Sequence, residues 1–272
     1  MRSPTTSERL AGDLAGGLRL ELDLTPKPGL VDREDCGSHP DLTYERMDRS
    51  VALAGECLAR LAASLSAGEP VARQVALGLE GEREMHRRFE TNTHKGAIFL
   101  GGLLLSARER RPGTDLARLR PVVAEVARDV LAGRVLPRSH GQAARGRFGV
   151  GGVVGEALSG MPSLFDVALP AARLALDRGF DPETAAFAMM AGLMQVVEDT
   201  TALHRCGTAG LARLRADGRE LQRLVLAGVD PRPALRELNE AYRVIGLTMG
   251  GVADLLAMAL GIAVHLGWIP AP

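Results

Sequence analysis

Apolar residues recur every three or four positions along most of this chain, a period that predicts helices almost from end to end. Leu10, Leu14, Leu18 and Leu22 share one face of a helix over residues 7–22, with Ser7 as its cap. Asp41 or Thr43 can open a second helix running to about Leu65, with Met47, Val51, Ala54, Leu58, Leu61 and Leu65 facing inward, and Gly68 and Pro70 ending it. A third, over 71–88, turns Val75, Leu79 and Met85 inward. Thr91, Asn92 or Thr93 is the natural cap of an apolar fourth helix that begins near Ala97. Further helices are expected over 115–132, 164–177 and 182–197, the last opened by an Asp181 cap and Pro182. Three more follow over 211–227, with a break at Gly218, over 231–247, and in the apolar run 249–269.

Valine and isoleucine are sparse, and no alternating run bounded by hairpin turns appears. The expected fold class is therefore all-α: a single globular domain of about ten helices across residues 1–272, with no linker and no repeat. The glycine-rich stretch 139–162 lacks the G-x-x-x-x-G-K-[ST] phosphate loop and reads as a tight loop or close helix packing.

Composition narrows the function. Hydrophobic residues at 46% are ample for a core, whereas 33 basic and 33 acidic residues leave no global field for nucleic acid or an acidic membrane. Aromatics at 3% argue against base-stacking platforms. Cys36, Cys57 and Cys206 lack disulfide or zinc spacing and fit a reducing compartment. The first residues lack the apolar run of a signal peptide, so a cytoplasmic protein is expected. Residues 249–269 are long enough to span a bilayer, but Asp254 and His265 within them favour a buried core helix. Its glycines and alanines would also let it pack against itself in a homodimer.

Three polar islands interrupt the helical pattern: TPKPGLVDREDCGSHPD at 25–41, ETNTHKG at 90–96 and EDTTALHRCG at 198–207. Each holds a basic pair, Lys27 with Arg33, His94 with Lys95, and His204 with Arg205, among carboxylates or hydroxyls. Basic groups that neutralise phosphate oxygens, beside carboxylates that hold a hydrated metal, are what a polyphosphate with Mg2+ requires. The same residues would also serve as a solvated loop at 25–41 and as buried ion pairs among Glu198, Asp199 and Arg205.

In order and spacing, T-P-K-P-G-L-V-D-R-x-x-x-G-S-H-x-D, N-T-H-K-G-A-I-F and D-T-x-x-L-H-R-x-G resemble the triphosphoribosyl-dephospho-coenzyme A synthases. The likeness extends to S-H-G at 139–141, G-E-A at 155–157 and G-G-x-A-D-L-L at 250–256, so it covers most of the chain. It departs at Val154, Cys206 and Met249, where the family pattern has arginine, glycine and proline, which leaves room for a paralogue with a changed acceptor.

The resemblance implies ATP and 3'-dephospho-CoA as substrates, magnesium as cofactor, and a product used by malonate decarboxylase or citrate lyase. The acceptor's 2'-hydroxyl would displace adenine from the anomeric carbon of ATP through an oxocarbenium-like state, which needs a carboxylate nearby, a proton donor, and a fixed triphosphate. On this basis Lys27, Arg33, Lys95 and Arg205 would hold phosphates with Asn92 and Thr93. Glu82, Glu198 and Asp199 would hold magnesium, and Asp199, ahead of Asp32, would be the base. His39, His94 and His204 would donate protons or contact phosphate, with Glu156 and Asp254 ranked lower. The mechanism requires Lys27, Lys95 and Arg205 to face a common cleft. Two other readings remain open at this stage: an all-α metal-dependent nucleotide phosphohydrolase, whose adjacent His-Asp doublet is approached only by His39-Pro40-Asp41, and a helical scaffold or binding protein.

Overall fold

The computed structural model describes residues 5–91, 93–132 and 140–272, and among these no strand occurs. Helix α1 (Thr6–Asp23) opens on a capping box in which Thr5 and Glu8 satisfy each other's backbone amides. The chain continues through α2 (Tyr44–Ser66), α3 (Val71–Phe89), α4 (Lys95–Arg110), a 3-10 turn (Leu116–Arg118) and α5 (Arg120–Leu131). Then come α6 (His140–Phe148), α7 (Gly152–Leu158), a π-helical turn (Ser163–Ala168) and α8 (Leu169–Asp177). The last four are α9 (Pro182–Val196), α10 (Thr200–Leu226), α11 (Arg232–Ile245) and α12 (Gly250–His265). The all-α expectation holds.

Helices α9 and α12 are buried on nearly every face, as helices without a polar side must be. α12 is the central pillar, with α1, α4, α9 and α10 packed around it. It meets α1 at a crossing where Gly17 and Gly261 face each other and backbone touches backbone. A methyl at Gly17 would overlap the Ala257 carbonyl and the Gly261 amide. The small residues of α12 are thus engaged within the chain, which removes the basis for expecting self-association through this helix. Among the described residues no helix is long and apolar enough to cross a membrane.

Several boundaries differ from the expected ones. The stretch 139–162 contains two short helices, α6 and α7, instead of a loop. The island at 198–207 is mostly helical, because α10 starts at Thr200 and is kinked where Gly207 takes φ 64° and ψ −160°. At Gly218 the helix does not break; the missing side chain admits Met194 and the Ala191 carbonyl of α9. The 115–132 helix is a 3-10 turn followed by α5.

Gly17→Ala should therefore destabilise the fold by about 2–3 kcal/mol through overpacking against rigid backbone. Gly78→Ala on α3, where an added methyl meets nothing within 4 Å, should be neutral or stabilising by up to about 1 kcal/mol. Urea unfolding of both variants separates the two cases, and equal midpoints would contradict the crossing geometry.

Candidate functional site

The loop between α1 and α2 is held by its own polar groups. Asp32 is buried and accepts from the amides of Lys27 (2.7 Å), Glu34 (2.8 Å) and Asp35 (3.2 Å), stapling the loop across its turn. Gly29, at φ 71°, lies against the Leu247 carbonyl, and Asn239 of α11 bonds both the Gly29 amide (2.9 Å) and Asp35 (2.7 Å). Lys27 is 0% exposed. Its Nζ donates to the Glu21 carbonyl and to Glu21 Oε1 (2.9 Å), so the ammonium lies behind the wall that Glu21 forms. Arg33 turns outward to Asp23 (2.9 Å) and lies over the Tyr44 ring.

The start of α4 is built differently. His94 is the N-cap residue, and its Nδ1 meets Ser50 Oγ (2.6 Å) and Thr93 Oγ1 (3.0 Å). Lys95 Nζ pairs with Glu82 of α3 at 2.9 Å. The side-chain partner for the Ala97 amide comes from α12, where Asp254 Oδ1 accepts at 3.0 Å and Oδ2 rests against Gly96. The starts of α10 and α12 are joined by one side chain. Asp199 Oδ1 accepts from the Thr201 and Ala202 amides, and Oδ2 from the Val252 amide, each at 2.9 Å. Glu198, next to it, caps the Gly151 amide at 2.6 Å.

A cavity of about 1380 Å3 lies where these helix starts converge, with Lys95, Gly96, Thr200, Thr201, Gly250 and Gly251 all in its wall. That exceeds the roughly 300–1,000 Å3 of an ordinary small-molecule pocket and leaves room for two nucleotide-sized substrates. The amino ends of α4, α10 and α12 direct partial positive charge toward it.

Of the expected phosphate contacts, His39, Thr93, Lys95 and Arg205 line the cavity, as do His94, Glu82 and Glu198. Arg205 is held by the Ser38 carbonyl (2.7 Å) and His39 Nδ1 (3.3 Å), while His39 Nε2 meets Thr248 Oγ1 (2.8 Å). Five expectations need correction. Lys27 does not share the cleft with Lys95 and Arg205, Arg33 points away from it, and Asp32 has both oxygens engaged by loop amides. Asp199 is 0% exposed, with both oxygens on helix amides, so it clamps helices and is not placed as a base. His204 is exposed on α10, outside the wall. Asn92 lies outside the described residues.

The expected magnesium ligands do not fit a protein-borne site. Asp199 is fully engaged, Glu198 holds Gly151 and Glu82 faces Lys95. Among the described residues no three His, Cys, Asp or Glu side chains are grouped to hold a metal.

Two carboxylates gain importance. Glu21 is buried and lines the cavity; its signal in the sequence was an acid one position from Leu22, on the apolar stripe of α1. Asp254, also in the wall, has its carboxyl raised well above the ordinary value by burial and by the nearby Glu21 and Asp199 charges. Asp199 is raised too, by burial against the pull of its amides. Burial lowers His39 and His94 to about 4, helped by Arg205 and Lys27 respectively, so both imidazoles are neutral at pH 7.

The model of the ATP:dephospho-CoA triphosphoribosyl transferase family matches residues 7–268. The chain belongs to that family. A protein of Stutzerimonas stutzeri, named a probable 2-(5''-triphosphoribosyl)-3'-dephosphocoenzyme-A synthase, is 34% identical over 95% of this chain and 92% of its own length. One of Azotobacter vinelandii with the same name is 35% identical over 94% and 91%. No solved structure matches the chain. In this transferase the matched islands meet at a single cavity, but many of their charges hold the walls together.

Two outcomes follow for the transferase. Asp199→Asn places an amide donor opposite the Val252 N–H and should cost about 1–3 kcal/mol of stability, read by urea unfolding. The His94 imidazole titrates near 6.5 unfolded and about 4 folded, so between those pH values the unfolded chain binds more protons. The His94 contribution to stability should fall as pH drops from about 6.5 to 4, so His94→Gln should be relatively more stable, against wild type, at pH 4 than at pH 6.5 in midpoints measured across the window.

Proposed function

We propose that this transferase moves the triphosphoribosyl group of ATP to the 2'-hydroxyl of 3'-dephospho-CoA. The C1'–N9 bond of ATP breaks, a bond from the acceptor O2' to that carbon forms, and adenine leaves. The product would be the precursor of the acyl carrier prosthetic group of malonate decarboxylase or citrate lyase, made in the cytoplasm. The observation that carries the reading is the meeting of Asp254 with Lys95 and Arg205 in one cavity large enough for both substrates.

The residues divide the work by what each has left to offer. Lys95 and the guanidinium of Arg205, fixed by Ser38 and His39, bind phosphates, aided by the amino ends of α4, α10 and α12. Asp254 has one oxygen fixed by the Ala97 amide, and the other, beside Gly96, would accept the proton of the acceptor hydroxyl. Burial and the nearby Glu21 and Asp199 charges strengthen its hold on that proton. Glu21 and Glu198 add negative charge to the wall, which favours the oxocarbenium-like state. Magnesium enters this proposal as the counter-ion that ATP brings, screening its triphosphate.

Incubation with ATP, magnesium and 3'-dephospho-CoA should release adenine, separated by chromatography. ADP or AMP without adenine would sink the proposal. Asp254→Asn should lower kcat by about 10²–10⁴ with ATP binding retained. In the wild type, kcat/KM should rise with pH along an acid limb displaced above the ordinary carboxylate range, because Asp254 must lose its proton beside Glu21 and Asp199.

A further inference from the structure

One side of the cavity wall, built by α3 and α4, is left largely unused by the transfer chemistry. Helices α3 and α4 are joined by a short connection and contact each other, and each gives one face to the wall. On α3 these positions are Gln74, Gly78 and Glu82, and on α4 Lys95, Phe99, Leu103 and Ser106, spaced as one helical stripe. The Lys95–Glu82 pair marks the end nearest Asp254. From there the stripe on α4 runs about 16 Å to Ser106, at 1.5 Å per residue. Between the ends the lining is apolar, with Val75 and Leu79 from α3 and Phe99 from α4, and Leu103 almost wholly buried.

Gly78 lies midway along the α3 side of this wall. Glycine inside an exposed stretch of helix costs up to about 1 kcal/mol against alanine. At Gly17, Gly81 and Gly101 a neighbouring atom accounts for it, because a methyl would collide with Ala257, Cys57 or Leu58. At Gly78 a methyl would meet nothing within 4 Å, and the residue lines the cavity. Packing therefore does not demand the glycine, and the open space beside it belongs to the cavity.

We propose that the α3–α4 groove receives the pantetheine arm of the acceptor, with Gly78 keeping the passage open. This rests on the function proposed above. The arm is attached to the acceptor's pyrophosphate, which Lys95 would hold at the mouth of the groove. Methylenes and geminal methyls then lie along Val75, Leu79 and Phe99, and the amides and thiol reach toward Gln74 and Ser106. The groove is thus the part of the site that separates 3'-dephospho-CoA from ADP, the same nucleotide without an arm.

Titration calorimetry of 3'-dephospho-CoA and of ADP, with no second substrate present, tests this independently of turnover. Wild type should bind 3'-dephospho-CoA at least about tenfold more tightly than ADP, and Gly78→Leu should bind the two within about threefold while ATP binding is unchanged. Gly78→Leu should melt no lower than wild type, since leucine is the better helix former and its Cβ meets nothing within 4 Å. Val75→Phe, filling the same groove from a neighbouring position, should give the same loss. Retained preference in both variants, no preference in wild type, or an equal loss of ATP binding would overturn the assignment. Absence of adenine release from wild type would remove the proposed reaction and leave this binding test intact.

Discussion

Asp199 joins the first turns of α10 and α12 through three backbone amides, and the geometry of the cavity depends on that junction. Each helix start leaves amides without intrahelical partners, and burying them bare would cost several kcal/mol. One carboxylate on two helices meets both needs and fixes their relative position. Two residues after the clamped Val252, α12 presents Asp254 to the start of α4, where Ala97 donates to it. A chain of carboxylate caps therefore runs from α10 through α12 to α4, and the cavity occupies the space these starts enclose.

That arrangement explains why so many charges are buried in a neutral protein. A carboxylate stripped of water must find amides or a cation, and Asp32 and Asp199 find amides while Glu21 finds Lys27. Asp254 is less well compensated. One amide offsets little of its burial, and Glu21 and Asp199 add like charge, so its carboxyl holds a proton far more strongly than an exposed aspartate does.

The helices were legible because apolar spacing is a direct record of which face is buried: α1, α2, α3 and α9 fall within a few residues of expectation. The misses have a common cause. The first turn of α10 borders a polar cavity, so Thr200, Thr201 and Arg205 carry no apolar period there, and Gly207 adds a kink. Helices α6 and α7 have 9 and 7 residues, too few for the period to register. For the site, the sequence located the polar islands, but not the valence each residue has left. Lys27 and Lys95 are both lysines in polar islands; only the fold places one behind Glu21 and the other in the wall.

Spare bonding capacity, more than presence in a motif, is what separates a ligand-binding group from a scaffold group. In a low-dielectric interior nearly every polar atom is satisfied, so a dense polar block is first of all a set of mutual bonds. Counting those bonds reverses the initial ranking of the carboxylates. Asp199, at the centre of its block, has three amides on two oxygens; Asp254, two positions beyond the clamped Val252, has one amide and an oxygen against Gly96 at the cavity wall. The loop at 25–41 changes in the same way. Lys27 and Asp32 close it on itself and Arg33 anchors it to Asp23, while His39 alone among its expected site residues reaches the cavity and there positions Arg205. Its polar density builds a rigid frame for a cation contributed by α10.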